Sequence, residues 1–201
     1  EKLVPGLRME VDIPPRYNIA PTQDVASILN DEQKAVSYLR WGLIPFWAKD
    51  PAIGNRMINA RAETVTEKPA YKGPFKKKRC LVLATGYYEW KKEAGSKRKI
   101  PYFIRLKSQK PFTIAGLWDS WKDNGEEVRS CTLITTDAND VTSEIHHRMP
   151  VIISPEARMD WLDSGASDVD KLGSLLVPYE EEPMEAYEVS TLVNNPGNET
   201  P

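Results

Sequence analysis

Apolar and polar positions alternate along most of this chain in short runs, the pattern of half-buried strands. Residues 36–41 (Val-Ser-Tyr-Leu-Arg-Trp), 80–84, 102–106, 112–118, 130–136, 151–153 and 187–189 are rich in β-branched and aromatic residues, and each predicts a strand. Turn chemistry separates them. Asp123-Asn124-Gly125 and Gly95-Ser96 predict hairpin connections, the first most strongly because Asn-Gly accepts the positive φ of a tight loop. Two helices are predicted late in the chain. One opens at Ser154-Pro155, and the other follows Ser167, carries Val169, Leu172, Leu175 and Leu176 on one face and stops at Pro178. With no internal repeat and no long linker, residues 1–201 read as a single α+β domain built on a mainly antiparallel, curved or barrel-like β-sheet with flanking helices. The segment from about 194 to 201, with its Asn-Asn-Pro-Gly-Asn, reads as a flexible tail.

At 201 residues the chain is long enough to bury a substantial core. No run approaches the roughly 18 apolar residues that span a bilayer, and no signal-peptide pattern appears, so the expectation is a soluble, intracellular protein without a membrane partner. Cys80 and Cys131 stand alone in apolar segments, the setting of small core residues. With no CxxC pair a metal site is not expected, and no cofactor is implied. The net charge of −2 conceals a strong asymmetry: residues 68–110 hold 14 Lys and Arg against 2 Glu, whereas residues 154–201 hold 2 basic against 11 acidic residues. A basic centre can bind nucleic acid whatever the net charge, since phosphates respond to the local field. It can equally be a solvated face that protects strand edges.

Four segments carry candidate chemistry. Both histidines lie together in Ile145-His146-His147-Arg148-Met149-Pro150, where imidazole could take and give protons near neutrality or simply line a surface turn. In Arg56-Met57-Ile58-Asn59-Ala60-Arg61-Ala62-Glu63-Thr64, strand alternation would set Asn59, Arg61 and Glu63 on one face, as a ligand-binding surface or a salt-bridged solvent face. In Gly86-Tyr87-Tyr88-Glu89-Trp90 a carboxylate sits among three rings, the kind of setting that makes a Glu a general acid, although an edge-strand Glu beside core rings has the same sequence. Arg40-Trp41-Gly42-Leu43-Ile44-Pro45-Phe46-Trp47-Ala48, with Arg16-Tyr17-Asn18-Ile19-Ala20-Pro21, could offer a platform on which unpaired bases stack, or could be core.

Arg-Tyr-Asn-Ile-Ala-Pro at 16–21, Arg-Trp-Gly-Leu-Ile-Pro at 40–45, Ile-Asn-Ala-Arg-Ala-Glu-Thr at 58–64, Tyr-Glu-Trp at 88–90 and Ile-His-His-Arg-Met-Pro at 145–150 together resemble the SRAP (SOS response-associated peptidase) family of abasic-site processing proteins, in order, spacing and nearly full length. The resemblance implies the family's β-rich α+β fold. It also implies capture of the abasic aldehyde in single-stranded DNA by the α-amine and thiol of an amino-terminal cysteine, as a thiazolidine, with self-processing of the amino terminus. By resemblance, Asn59 positions the amino-terminal residue, Arg61 holds the DNA backbone, Glu89 shuttles a proton, and His146 assists sugar opening and adduct reversal, leaving His147 a bystander. Thr135 falls at a site hydroxyl, and Pro21 and Trp47 fall where the family wedges and stacks the strand. The implied partner is single-stranded DNA with abasic sites, bound by a monomer that is cytoplasmic and nucleoid-associated in a bacterium or nuclear in a eukaryote.

The sequence begins Glu1-Lys2-Leu3-Val4 instead of with the Met-Cys-Gly-Arg-Phe that the resemblance leads one to expect. These residues alone are therefore expected to bind DNA without forming the crosslink, since an internal cysteine has no free α-amine. A thiol-dependent peptidase or other hydrolase, and a non-catalytic single-strand binding module, remain as alternatives.

Overall fold

A computed structural model describes residues 3–4, 6, 13–31, 33, 35–93, 95–96, 98–166 and 168–200. Its largest feature is a ring of five strands: β1 (Asp24–Leu29), β2 (Val36–Trp41), β4 (Arg79–Ala84), β7 (Phe112–Asp123) and β8 (Glu126–Asp137). The pairs β1–β2, β1–β4, β4–β7 and β7–β8 are antiparallel, and a short parallel pairing of β2 with β8 closes the ring. Closure removes the exposed edges that an open sheet of this size would present. Three short strands extend it: β3 (Asn59–Arg61) lies parallel to β8, β9 (Arg148–Pro150) antiparallel to β8, and β10 (Ile152–Ile153) antiparallel to β7. A second, antiparallel sheet holds β5 (Tyr87–Lys92), β6 (Lys99–Leu106) and β11 (Met184–Glu188) in the order β11-β6-β5. The predicted α+β architecture on a mainly antiparallel, barrel-like sheet is the one observed.

The long β7–β8 hairpin turns where the sequence predicts. Asp123 faces Glu126 across Asn124-Gly125, whose φ values of 46° and 89° are those of a two-residue primed turn. Several ring strands bury both faces. On β4, Leu81 packs with Phe75, Leu117 and Trp161 in one cluster, while Cys80 and Val82 join Ile104, Cys131, Met149 and Met184 in another. The first cluster seats the helices on the barrel; the second joins it to the small sheet. Both cysteines are fully buried core residues, and burial together with the neighbouring Cys131 thiol pushes the Cys80 thiol upward.

The helices depart from expectation. Helix α1 (Pro69–Lys77) is concealed in the sequence by Pro69, Gly73 and Pro74, all helix-disfavouring signals. It forms because Tyr71 and Phe75, four apart, are both buried, Phe75 edge-on to Trp161. Helix α2 is a single turn, Asp140–Ser143, capped by the Asn139 side chain. Helix α3 begins at Arg158 rather than at Ser154-Pro155, because Ser154–Ala157 closes as a turn. Helix α4 spans Val169–Gly173, so Leu175 and Leu176 lie beyond it; the predicted start at Ser167 lies outside the described residues. No helix among the described residues is long and apolar enough to cross a membrane.

Folding also rearranges the charge asymmetry. Arg79 is fully buried, Lys78 is bound to the buried Asp119, and Arg105 pairs with Glu185 of the acidic region. Lys97 of the basic stretch lies outside the described residues. The segment read as a flexible tail makes specific contacts. Asn18 Nδ2 donates to the carbonyls of Val193 and Asn195, Trp90 Nε1 donates to Asn194, and the Glu199 carboxylate accepts from the Arg16 guanidinium and the Tyr17 backbone N–H.

Candidate functional site

The short strand β3 is held from both sides. Leu133 N–H and the Trp41 indole N–H both donate to the Ile58 carbonyl, each at 3.0 Å, and the parallel register then sets Asn59 against Leu133 and Arg61 against Thr135. Ala60 is buried between them, so the two-residue period directs Asn59 and Arg61 outward together. The expected third member of that face, Glu63, is not on it. The chain leaves the strand at Ala62 for a 3-10 turn over Ala62–Thr64, and Glu63 instead meets the Arg148 guanidinium in a two-point contact of 2.8 and 2.9 Å.

Arg148 opens β9 opposite Asp137 of β8. Besides Glu63 it binds Asp137 at 2.8 Å and the Thr135 carbonyl at 2.6 Å. The paired guanidinium lowers the Glu63 carboxyl below its ordinary value, chiefly by hydrogen bonding. Two residues earlier, His146 Nδ1 lies 3.2 Å from both the N–H and the carbonyl oxygen of Arg148.

Glu89 reaches this group from the other sheet. Tyr87 and Ile145 pack against the same apolar cluster, which presses β5 onto the loop before β9. Glu89, two residues beyond Tyr87, and His146, one beyond Ile145, then approach to 3.8 Å between Oε2 and Nδ1. The strand period corrects the expected ring of three aromatics: Tyr87 shares the face of Glu89, whereas Tyr88 and Trp90 point the other way, to the Tyr17 carbonyl and Asn194. Burial raises the Tyr87 phenol, with the Glu89 charge adding to it, and its buried hydroxyl has no hydrogen-bond partner among the described residues.

The structure thus joins Asn59, Arg61, Thr135, His146 and Glu89 into one patch along β3, β8, β9 and β5. Arg148, with Asp137, is the part the sequence did not single out, and Glu63 was expected on the Asn59–Arg61 face rather than as the partner of Arg148. Its ion pair with Glu63 crosses 85 positions, and no local period signals such a contact. Pro21 and Trp47 lie on the loops before β1 and after β2. Pro21 starts the turn before β1, in which Thr22 holds φ at 78°, costly for a β-branched residue, and bonds the Trp41 carbonyl. Trp47 and Phe46 are exposed on the loop after β2. That loop is pinned where Gly42, at φ 127°, meets Gly54 so closely that a Cβ on Gly42 would come within 2.5 Å of the Gly54 carbonyl oxygen. No three His, Cys, Asp or Glu side chains converge to hold a metal ion among the described residues.

The family model described as SOS response associated peptidase (SRAP) matches residues 5–196. The chain belongs to the SRAP family. This SRAP chain is 49% identical over 189 residues, 93% of its length and 84% of the relative's, to the abasic site processing protein YoqW of Bacillus subtilis. It is 34% identical over 220 residues to the abasic site processing protein HMCES of Xenopus tropicalis, covering 93% of this chain and 64% of that one. Among solved structures, the crystal structure of a protein from Bacteroides thetaiotaomicron is similar to the SRAP chain with a TM-score of 0.85 at 35% identity, over 96% of this chain and 89% of that one.

Proposed function

We propose that this chain processes abasic sites in single-stranded DNA, capturing the ring-opened aldehyde through the α-amine and thiol of an amino-terminal cysteine. The amine adds to the carbonyl, water leaves to give an imine, and the thiol adds to the imine carbon as its proton passes to nitrogen, closing a thiazolidine with no change of oxidation state. Glu89 donates a proton to the departing oxygen. His146 moves the proton of the sugar hydroxyl as the ring opens and as the adduct reverses. Arg61 binds a backbone phosphate with Thr135 beside it, Asn59 holds the amino-terminal residue, and Pro21 and Trp47 wedge and stack the strand. The same acid-base pair would serve hydrolysis of the peptide bond ahead of the cysteine, in which water adds to the carbonyl and the cysteine nitrogen leaves as the free α-amine, and the protein would act as a monomer wherever such DNA lies.

The observation that carries this reading is the 3.8 Å approach of His146 to Glu89, linked to the exposed Arg61 through Arg148, which binds the carbonyl of Thr135, the β8 residue in register with Arg61. Residues remote in sequence supply two proton-transfer groups and an anion-binding cation on one open surface, which a DNA strand can reach. A hydrolase working through an internal thiol is disfavoured, because Cys80 and Cys131 are both fully buried. A purely binding module leaves the His146–Glu89 approach without use.

The test is single-turnover reaction of the protein, with its encoded amino terminus, on abasic and undamaged single strands, read as a denaturant-resistant mass shift. Glu89→Gln should slow capture by roughly 10²-fold, the scale of a missing general acid. His146→Ala should slow capture and release, and His147→Ala should change little. Reversible binding with no covalent product, or a larger defect for His147 than for His146, would refute the proposal.

A further inference from the structure

We propose that Glu63 is a positioning residue, which holds the Arg148 guanidinium and through it sets which ring nitrogen of His146 carries the proton. For catalysis this rests on the function proposed above; the geometry stands without it. Arg148 is nearly enclosed, its side chain 12% exposed, and both terminal nitrogens are engaged: Nη1 by Glu63 and Asp137, Nη2 by Glu63 and the Thr135 carbonyl. A guanidinium held at two points by one carboxylate keeps little rotational freedom. The contacts come from two elements, β8 and the turn after β3, and together with the backbone pairing of Arg148 to Asp137 they fix the position of the Arg148 backbone as well as its side chain.

That backbone is what His146 reads. Nδ1 faces a donor and an acceptor of the same residue at equal distance, the N–H and the carbonyl of Arg148, both 3.2 Å away. An unprotonated Nδ1 accepts from the N–H and is repelled by the carbonyl. A protonated Nδ1 donates to the carbonyl or turns to Glu89, 3.8 Å away. The other group facing the ring is His147, whose ring centroid lies 4.4 Å off. With the two Arg148 groups so evenly placed, a small displacement of this backbone decides which contact prevails, and the clamp supplied by Glu63 limits that displacement. On this proposal the resting ring keeps the N–H contact, with the proton on Nε2 and Nδ1 open to receive one beside Glu89.

Nitrogen-15 spectra of labelled histidine report the tautomer directly, with His147→Gln assigning the two rings. The native protein should show His146 dominated by the Nε2–H form. Glu63→Gln keeps the shape but removes the charge, and should shift His146 toward a mixed population of the two tautomers. Asp137→Asn, which loosens one contact only, should do the same to a smaller degree and covers the case in which Glu63→Gln fails to fold. On abasic single strands at saturating concentration, Glu63→Gln should slow capture about tenfold, as loss of an orienting group does, while affinity changes less than about twofold. An unchanged His146 tautomer in both folded variants overturns the proposal. So does a loss of DNA affinity that exceeds the loss of rate, which would make Arg148 a DNA contact. A tautomer shift in a protein that captures no abasic DNA would sustain the positioning role and refute the function.

Discussion

Lys76-Lys77-Lys78-Arg79 reads as a uniform basic run, yet its last member is a core residue, and Arg79→Met separates the two roles. Arg79 Nε donates to the Trp161 carbonyl at 2.8 Å, Nη1 to those of Phe75 and Lys76 at 3.0 and 2.8 Å, and Nη2 to those of Asp163 and Ala166. These acceptors cluster at the carboxyl ends of α1 and α3, where unpaired carbonyls and the negative helix poles favour a cation. Burial lowers the guanidinium from its ordinary value, and Asp163 opposes that shift. Methionine fills the space but strands the acceptors. The bonds to Trp161 and Phe75 are buried, and each stranded buried acceptor costs about 1–3 kcal/mol; water can recover much of the rest. Relief of the desolvated charge offsets part of this, leaving a net loss of about 3 kcal/mol. For a chain of this size that lowers Tm by roughly 10 °C. Urea unfolding followed by tryptophan fluorescence should show a lower midpoint with an unchanged m value. The same variant should leave the salt slope of DNA binding unaltered, since only removal of a side chain that neutralises a phosphate reduces that slope, by about one. Stability within about 0.5 kcal/mol of the native protein would refute the assignment of Arg79 to the core.

Gly42→Ala forces a Cβ against the Gly54 carbonyl at a φ of 127°, so it should destabilise the protein by about 2 kcal/mol or more and weaken single-strand binding through the displaced Trp47 loop; native melting and affinity would show that the loop tolerates the change. Glu63 predicts an acid limb: its folded carboxyl is depressed below the ordinary 4.5 by Arg148, so the stability it contributes is present above that value and is lost as pH falls through the depressed one. The Tm difference between the native protein and Glu63→Gln should therefore shrink as pH falls below the ordinary 4.5, and a difference that stays constant as the pH is lowered from there would count against the pairing.

What the sequence made legible follows from what is local. Alternation and Asn-Gly chemistry locate β7, β8 and the turn between them, because both act within a few residues. Helix α1 was hidden because Gly73 and Pro74 argue against a helix locally, while the burial of Tyr71 and Phe75 that overrides them depends on Trp161, far along the chain. Strand β5 has no apolar alternation to announce it, since the partners of Tyr88 and Trp90 come from residues 17 and 194. In the candidate site, period two correctly brings Asn59 and Arg61 to one face and fails at Glu63, where the backbone changes from strand to 3-10 turn. Arg148 stands in the His-His-Arg-Met-Pro motif with no role legible from its neighbours, because the groups that engage it lie on β8 and after β3.

The same distinction changes how the basic centre bears on the proposed DNA contact. Counted along the chain, residues 68–110 present 12 net positive charges; folded, several are answered locally, Arg79 by carbonyls, Lys78 by Asp119, Arg105 by Glu185 and Lys91 by Glu144. The exposed Lys68, Lys72 and Lys76 fall four residues apart, which aligns them in one stripe along α1. That stripe adjoins the site, because the Tyr71 hydroxyl touches the Asn59 carbonyl at 3.4 Å. A phosphate backbone crossing Arg61 therefore has a short basic track to follow at α1 rather than a broad positive face. On the proposed reading, salt-dependent affinity would then come from a few phosphates near Arg61 and the α1 stripe, and the exposed Phe46 and Trp47 would supply stacking rather than charge.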